Sequence, residues 1–297
     1  MSDLLDNIDY IQGEKNILNK DKQLNILWGV QPRDLPGLEF LVPIMQIVKF
    51  IKAGHFITIL LADIHELLDS HRLTLNQIQN RGKAYQILIE LLVELFDANP
   101  HSICYKYGSE FQLSSDYILD FYKISSQTTI NETFRAREID LEPIESDNSI
   151  SKSNKKMTSM LYPILQSLDE KYVDCDVFYG STTQELMCKY SEELMNNNRK
   201  TNKKVLYLLQ DLTKKISISF FDPLDTIQSK LEYLIEDDIE YLTDKILSPL
   251  LELRGDNTFY LSATKQIISE LLSKHLDCFY NKLIQSDFMN YYRAGWN

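Results

Sequence analysis

Tyr162, Gln166 and Asp169 stand at i, i+4 and i+7 in the segment LYPILQSLDEKYVDC. If that segment is helical, a phenol, a carboxamide and a carboxylate share one face, and one face lines one pocket. Groups of these types hold a small polar ligand through hydrogen bonds. Taken alone, the same residues also fit an ordinary helix surface on which Tyr162 and Gln166 satisfy each other and Asp169 is solvated. No comparable set suggests a metal. Cys104, Cys175, Cys188 and Cys278 are widely spaced, without a C-x-x-C pair or a histidine at ligand spacing, and read as buried reduced thiols. Three basic clusters could meet phosphate: Lys152, Lys155 and Lys156; Arg199, Lys200, Lys203 and Lys204; and Lys214 with Lys215. A formal net charge of -12 confines any nucleic-acid contact to such local patches, because an acidic field repels phosphates. Solvated basic loops are the plainer reading of the same clusters.

The elements that must position these groups follow from periodicity. Residues 2–23 carry Leu4, Leu5, Ile8, Ile11, Ile17 and Leu18 close to a 3.6 period and read as a helix. The apolar run 24–30 ends near Pro32 as a buried strand does, residues 41–53 read as an apolar helix closed by Gly54, and residues 55–62 as a second buried strand. Strand, helix and strand in this order make a βαβ unit, and buried strands without alternation favour a parallel sheet. The expected fold class is α/β, a Rossmann-like parallel sheet. Next come a long amphipathic helix over 77–97, a strand over 102–107 and a helix over 114–123. Residues 125–156 lose the periodicity and read as an exposed, mobile insertion. Order returns with a helix over 157–172, a strand near Val177, a helix over 183–195 and a strand over 205–209. From Asp225 the pattern is helical, broken at 254–257. The expected division is residues 1–224 as the sheet domain and 225–297 as a small all-α domain.

At 297 residues, 44% hydrophobic and 25% charged, the chain is long enough to bury a full core and has an ordinary globular composition. No stretch approaches the roughly 18 uninterrupted apolar residues of a membrane span, and the acidic opening MSDLLDNIDYIQ is unlike a signal peptide. A cytoplasmic protein without membrane contact is expected.

In order and spacing, the segments over about residues 24–230 resemble the eukaryotic and archaeal tyrosyl-tRNA synthetases, of class I. TILLADIHELLD at 58–69 resembles that family's strand, turn and helix beneath the bound amino acid. GSEFQLSSDYILDFYKIS at 108–126 resembles its next block, and LYPILQSLDEKYVDCDVFYGSTTQE at 161–185 its recognition helix and following strand. The resemblance implies that Tyr162, Gln166 and Gln184 hold an α-amino group and that Asp169 bonds a tyrosine hydroxyl. It places Leu60, Ala62, His65, Phe111 and Gln112 around the side chain. It also implies a homodimer formed beside the insertion and a tRNA partner, for whose contacts the basic patches offer Lys203, Lys204 and Lys214.

The departures from the family are as specific. WGVQPRDLPGLEFLVP at 28–43 aligns with the segment carrying the HIGH motif, with Gly37 at the histidine and Glu39 at the small residue that meet ATP. Losing one such donor removes about 3 kcal/mol of transition-state stabilisation, and a carboxylate facing triphosphate adds repulsion unless Mg²⁺ intervenes. LTKKISISFFDP at 212–223 resembles the KMSKS loop in its KMSSS form, with Lys215 at the lysine, Ser217 and Ser219 at the outer serines and Ile218 between them. Leu27 stands where the family has a tyrosine that helps bind the substrate hydroxyl, which deprives Asp169 of a neutral partner and opens the pocket to a cationic or extended polar side chain as well as a phenol. The C-terminal segment matches the family's anticodon-binding domain only faintly.

Three functions are therefore expected, in this order. The first is a tRNA-dependent cyclodipeptide synthase, which takes ready-made aminoacyl-tRNA, with arginine among its amino acids, and needs no cofactor. Tyr162, Gln166 and Gln184 would be its catalytic groups. The second is a divergent tyrosine-tRNA ligase using ATP and Mg²⁺. The third is a non-catalytic synthetase paralogue that binds tRNA or a protein.

Overall fold

The computed structural model of the chain describes residues 2–19, 22–70, 72–137, 157–197, 204–219, 236–249 and 285–296, with 222, 226, 229–230, 233–234 and 282–283. In chain order its main elements are β1 (Tyr10–Gln12), β2 (Asn25–Val30), α1 (Leu41–Lys52), β3 (Phe56–Leu61), α2 (Asp63–Asp69), α3 (Leu75–Leu95) and β4 (Ile103–Tyr107). They continue with α4 (Ser115–Ser125), α5 (Ile130–Ala136), α6 (Thr158–Val173), β5 (Val177–Ser181), α7 (Glu185–Asn197), β6 (Leu206–Gln210), α8 (Glu236–Tyr241) and α9 (Phe288–Trp296).

The six strands form one sheet in the order β1-β6-β5-β2-β3-β4, parallel throughout except for β1, which pairs antiparallel with β6. The α/β, mostly parallel architecture is the one expected. Its central strands are buried on both faces, so alternate residues serve two different layers. Ile26, Trp28, Ile57, Ile59, Tyr179 and Leu208 belong to the larger core beneath α1 and α3. Leu27, Leu60, Phe178, Tyr207 and Leu209 belong to a second cluster on the opposite face. That second face carries the candidate site.

The N-terminal segment corrects the expected helix. Only Ser2–Leu5 is α-helical, followed by β1 and a 3-10 turn over Lys15–Asn19. Gly13 sits at φ 107, where side chains are strained, and the three residues before it find hydrogen-bond partners on β6. Edge pairing outweighed a periodicity that the apolar residues also satisfied. The expected insertion is likewise helical at its start: Thr129 caps α5 through a capping box with Glu132. Residues 138–156 and 250–281 lie outside the described residues, and with them the lysines at 152, 155 and 156, the break at 254–257 and Cys278. The described parts of the C-terminal region are helical, and Leu242, Ile246, Leu247, Leu283 and Phe288 pack into the larger core. Among the thiols, Cys175 and Cys188 are buried as expected, but Cys104 is exposed because alternate residues of edge strand β4 face away from the core.

Candidate functional site

Parallel α/β sheets bind ligands beyond the carboxyl ends of their strands, where neighbouring connections leave in opposite directions. Here β2 lies between β3 and β5, and a cavity of about 120 Å³ opens at their carboxyl ends. It is lined by Leu27, Gly29, Gln31, Leu60, Ala62, His65, Tyr162, Gln166, Asp169, Phe178 and Gln184. The i, i+4, i+7 face of α6 thus points into one pocket, together with Gln184 from the turn after β5. Leu27, Leu60, Ala62 and His65 join it as the resemblance implied.

Asp169 is 2% exposed, and its Oδ1 accepts hydrogen bonds from Gln112 Nε2 at 2.7 Å and Tyr117 Oη at 2.8 Å. Burial drives its carboxyl up to about 7, against the opposing pull of those two donors. Gln112 and Phe111 do not line the cavity. Gln112 lies behind Asp169 and holds it, while Phe111 packs edge-on against Tyr117 at 5.7 Å. Tyr117 was missed by the sequence reading. It supplies a neutral donor to Asp169 although Leu27 cannot, which removes the reason for expecting a cationic side chain. A carboxyl raised to about 7 by burial is also a poor counter-ion for one. Its only sequence signal was a place in the block at 108–126, on the turn of α4 capped by Ser114.

His65 is 2% exposed and meets the edge of the Tyr162 ring at 4.5 Å. Burial pushes its imidazole down to about 4, so it is neutral near pH 7. Tyr162 is also covered by the Arg137 guanidinium, 4.4 Å above the ring, and burial pushes its phenol up to about 12. Gln184 Oε1 accepts the Ser181 N–H at 3.0 Å, which fixes the carboxamide at the pocket edge. Gln166 Nε2, Asp169 Oδ2 and both His65 nitrogens are buried without a hydrogen-bond partner among the described residues. Buried polar groups are normally satisfied, so these four atoms mark where a ligand's polar groups belong. At the rim, Arg33 Nη2 pairs with Asp69 at 2.6 Å and its Nε with Glu66 at 3.1 Å, and Gln31 Nε2 donates to Asp69.

The residues aligned with the ATP motifs meet each other. Gly37 and Ser219 form an isolated antiparallel bridge, and Leu38 N–H donates to the Ile218 carbonyl at 2.9 Å. Glu39 folds back so closely that a β-carbon at position 37 would sit 2.3 Å from its Oε2, so any larger residue there would have to displace the Glu39 carboxylate. The same oxygen accepts the Ile216 N–H at 3.3 Å, and Oε1 lies 3.7 Å from Lys215 Nζ. Ile216 and Ile218 are buried while Ser217 is exposed. Of the expected tRNA-binding lysines, Lys204 pairs with Glu14, Lys214 pairs with Asp238 at 2.5 Å, and Lys203 lies outside the described residues. No group of side chains with metal-ligand geometry is present among the described residues.

The family model for class I tRNA synthetases of the tryptophan and tyrosine type matches residues 19–242, and the chain belongs to that family. A probable cytoplasmic tyrosine-tRNA ligase of Vairimorpha ceranae is 31% identical over 73% of this chain and 65% of its own length. The cytoplasmic tyrosine-tRNA ligase of Saccharomyces cerevisiae is 29% identical over 60% of this chain and 44% of its own. The chain thus spans less than two thirds of the length of either relative. In fold it resembles the tyrosyl-tRNA synthetase of Archaeoglobus fulgidus complexed with L-tyrosine, with a TM-score of 0.76 at 19% identity, covering 95% of this chain and 98% of that one. These relatives overturn the expectation of a cyclodipeptide synthase, which rested on a kept amino-acid pocket beside altered nucleotide motifs. The described residues contain no helix long and apolar enough to cross a membrane.

Proposed function

We propose that the chain binds L-tyrosine in this cavity and acts as a cytoplasmic tyrosine-tRNA ligase, joining the amino acid to tRNA. The observation that carries this reading is the convergence of Tyr162, Gln166, Gln184 and Asp169 on one cavity, with Asp169 Oδ2 left open to a ligand. The polar end beside Gln166 and Gln184 suits an α-amino group, and the apolar walls of Leu27, Leu60, Ala62 and Phe178 suit an aromatic ring. The names of the relatives support the same amino acid and the same location. Exposed Leu113, Leu119, Tyr122 and Ile130 beside the insertion form the surface we assign to a homodimer.

The nucleotide side fits a triphosphate poorly as it stands. Glu39 brings a carboxylate to the segment aligned with HIGH and already engages Ile216 and Lys215. The same contact favours a second reading, a family member that binds tyrosine without forming an adenylate.

Tyrosine-dependent exchange of pyrophosphate into ATP, followed by charging of tRNA, tests the proposal. Exchange with tyrosine supports the ligase. Calorimetric binding of tyrosine without exchange supports the second reading, and no binding of tyrosine overturns both.

A further inference from the structure

Asp169 Oδ2 and His65 Nε2 lie 3.7 Å apart, too far for a good hydrogen bond between them. Both atoms are buried, both belong to residues lining the cavity, and neither has a hydrogen-bond partner among the described residues. Oδ1 of the same carboxyl is already taken by two donors, so Asp169 has one oxygen left to offer. A single oxygen atom fits within about 2.8 Å of both open atoms, because 3.7 Å is well under twice that distance. The group that bonds to both must donate to a carboxylate oxygen and accept from an imidazole N–H through one atom. A hydroxyl does this. The walls from Leu27, Leu60, Ala62 and Phe178 offer no polar side-chain atom, so the second contact to such a hydroxyl falls to His65.

We infer that His65 is a specificity-determining residue for the amino acid: its Nε2–H donates to the tip hydroxyl of the bound side chain while that hydroxyl donates to Asp169 Oδ2. The inference rests on the tyrosine reading of the cavity and extends it, since it assigns to His65 the contact that Leu27 cannot make. It requires the Nε2–H tautomer. Nδ1 has no partner among the described residues, so nothing described there opposes that tautomer. The imidazole is held in place by the Tyr162 ring, which the Arg137 guanidinium covers in turn. A site built to bond a hydroxyl rejects the analogue that lacks it, because its own polar groups are then left unpaired. His65 is therefore expected to separate tyrosine from phenylalanine, and to matter little for phenylalanine itself.

The test uses the full chain and titrates L-tyrosine and L-phenylalanine by calorimetry into wild type, His65→Ala and His65→Gln. His65→Ala is expected to weaken tyrosine roughly 5- to 10-fold, the scale of one lost hydrogen bond, and to leave phenylalanine within about 2-fold. His65→Gln, whose amide nitrogen reaches near the Nε2 position, is expected to recover part of the loss. Should the variants fold poorly, wild-type protein carrying ¹⁵N-labelled histidine decides the matter. The His65 Nε2 resonance should shift with tyrosine and not with phenylalanine. Equal losses for both amino acids, or identical Nε2 resonances in the two complexes, would overturn the role of His65 while leaving the tyrosine pocket standing. A wild type that binds neither amino acid overturns the pocket reading and this inference together.

Discussion

Lys215 Nζ lies 3.7 Å from Glu39 Oε1, and through that pair the two segments aligned with the nucleotide motifs are joined side chain to side chain as well as backbone to backbone. Lys215 is 80% exposed, so the ion pair itself contributes little to stability. Its weight lies in where it holds the lysine and where it puts a negative charge.

Glu39→Ala removes that charge and releases both Lys215 and the Ile216 N–H. Affinity for ATP is expected to rise roughly 10-fold, equivalent to about 1.4 kcal/mol. Equilibrium binding of ATP to the two proteins measures it, and equal affinities would show the contact to be inert.

Gln166→Ala removes a carboxamide whose Nε2 has no hydrogen-bond partner among the described residues. Tyrosine should bind about 10-fold more weakly, while the melting temperature stays close to wild type because no internal bond of that nitrogen is lost. A large fall in melting temperature would place Gln166 in the scaffold instead.

Glu170 does not line the cavity; it accepts the Tyr207 hydroxyl at 2.7 Å and is pushed up to about 8 by burial. A carboxyl whose folded value lies above its unfolded one binds its proton more tightly in the folded state. Its contribution to stability is complete below about pH 4.5 and is lost as pH rises through about 8. Glu170→Gln keeps an acceptor for Tyr207 and is expected to flatten the fall in melting temperature between pH 5 and pH 8, by roughly the share one buried carboxyl contributes. Parallel slopes for wild type and variant would refute the assignment.

Trp296 stacks on Tyr85 at 6.5 Å and lies beneath the Arg81 guanidinium at 4.7 Å, where α9 meets α3. Trp296→Ala should cost about 1–3 kcal/mol, less than a fully buried tryptophan because the ring is only partly covered. Urea unfolding measures it, and an unchanged midpoint would mean that α9 rests on α3 without supporting it.

Much of the sheet was legible because its strands are largely apolar runs flanked by a glycine or proline, as residues 55–62 are by Gly54 before them and residues 24–30 by Pro32 after them. The face carrying Tyr162, Gln166 and Asp169 was legible from spacing once its helix was granted. Tyr117 was not, because its hydroxyl reaches Asp169 across a sequence separation of 52 residues and no local pattern announces such a contact. Residues 10–12 were misread for a related reason: Ile11 fits both a helical stripe and an edge strand, and the partner that decides between them, Leu208, lies far along the chain. Reading the segment around Glu39 as the mark of a cyclodipeptide synthase failed, because a change in one motif does not specify the kind of protein that carries it.

Arg81 donates from Nε to the Gly295 carbonyl at 2.9 Å and from Nη1 to the Arg33 carbonyl, and Arg33 in turn grips Glu66 and Asp69 at the cavity rim. One side chain therefore clasps a helix from late in the sequence to a loop that follows the first parallel strand. On the ribosome, the early strands can pair while the rest is still being made, but this clasp must wait for residue 295 to emerge. The rim is accordingly among the last parts of the molecule to set during synthesis, and a nascent chain stalled short of that point would carry a sheet without a finished entrance.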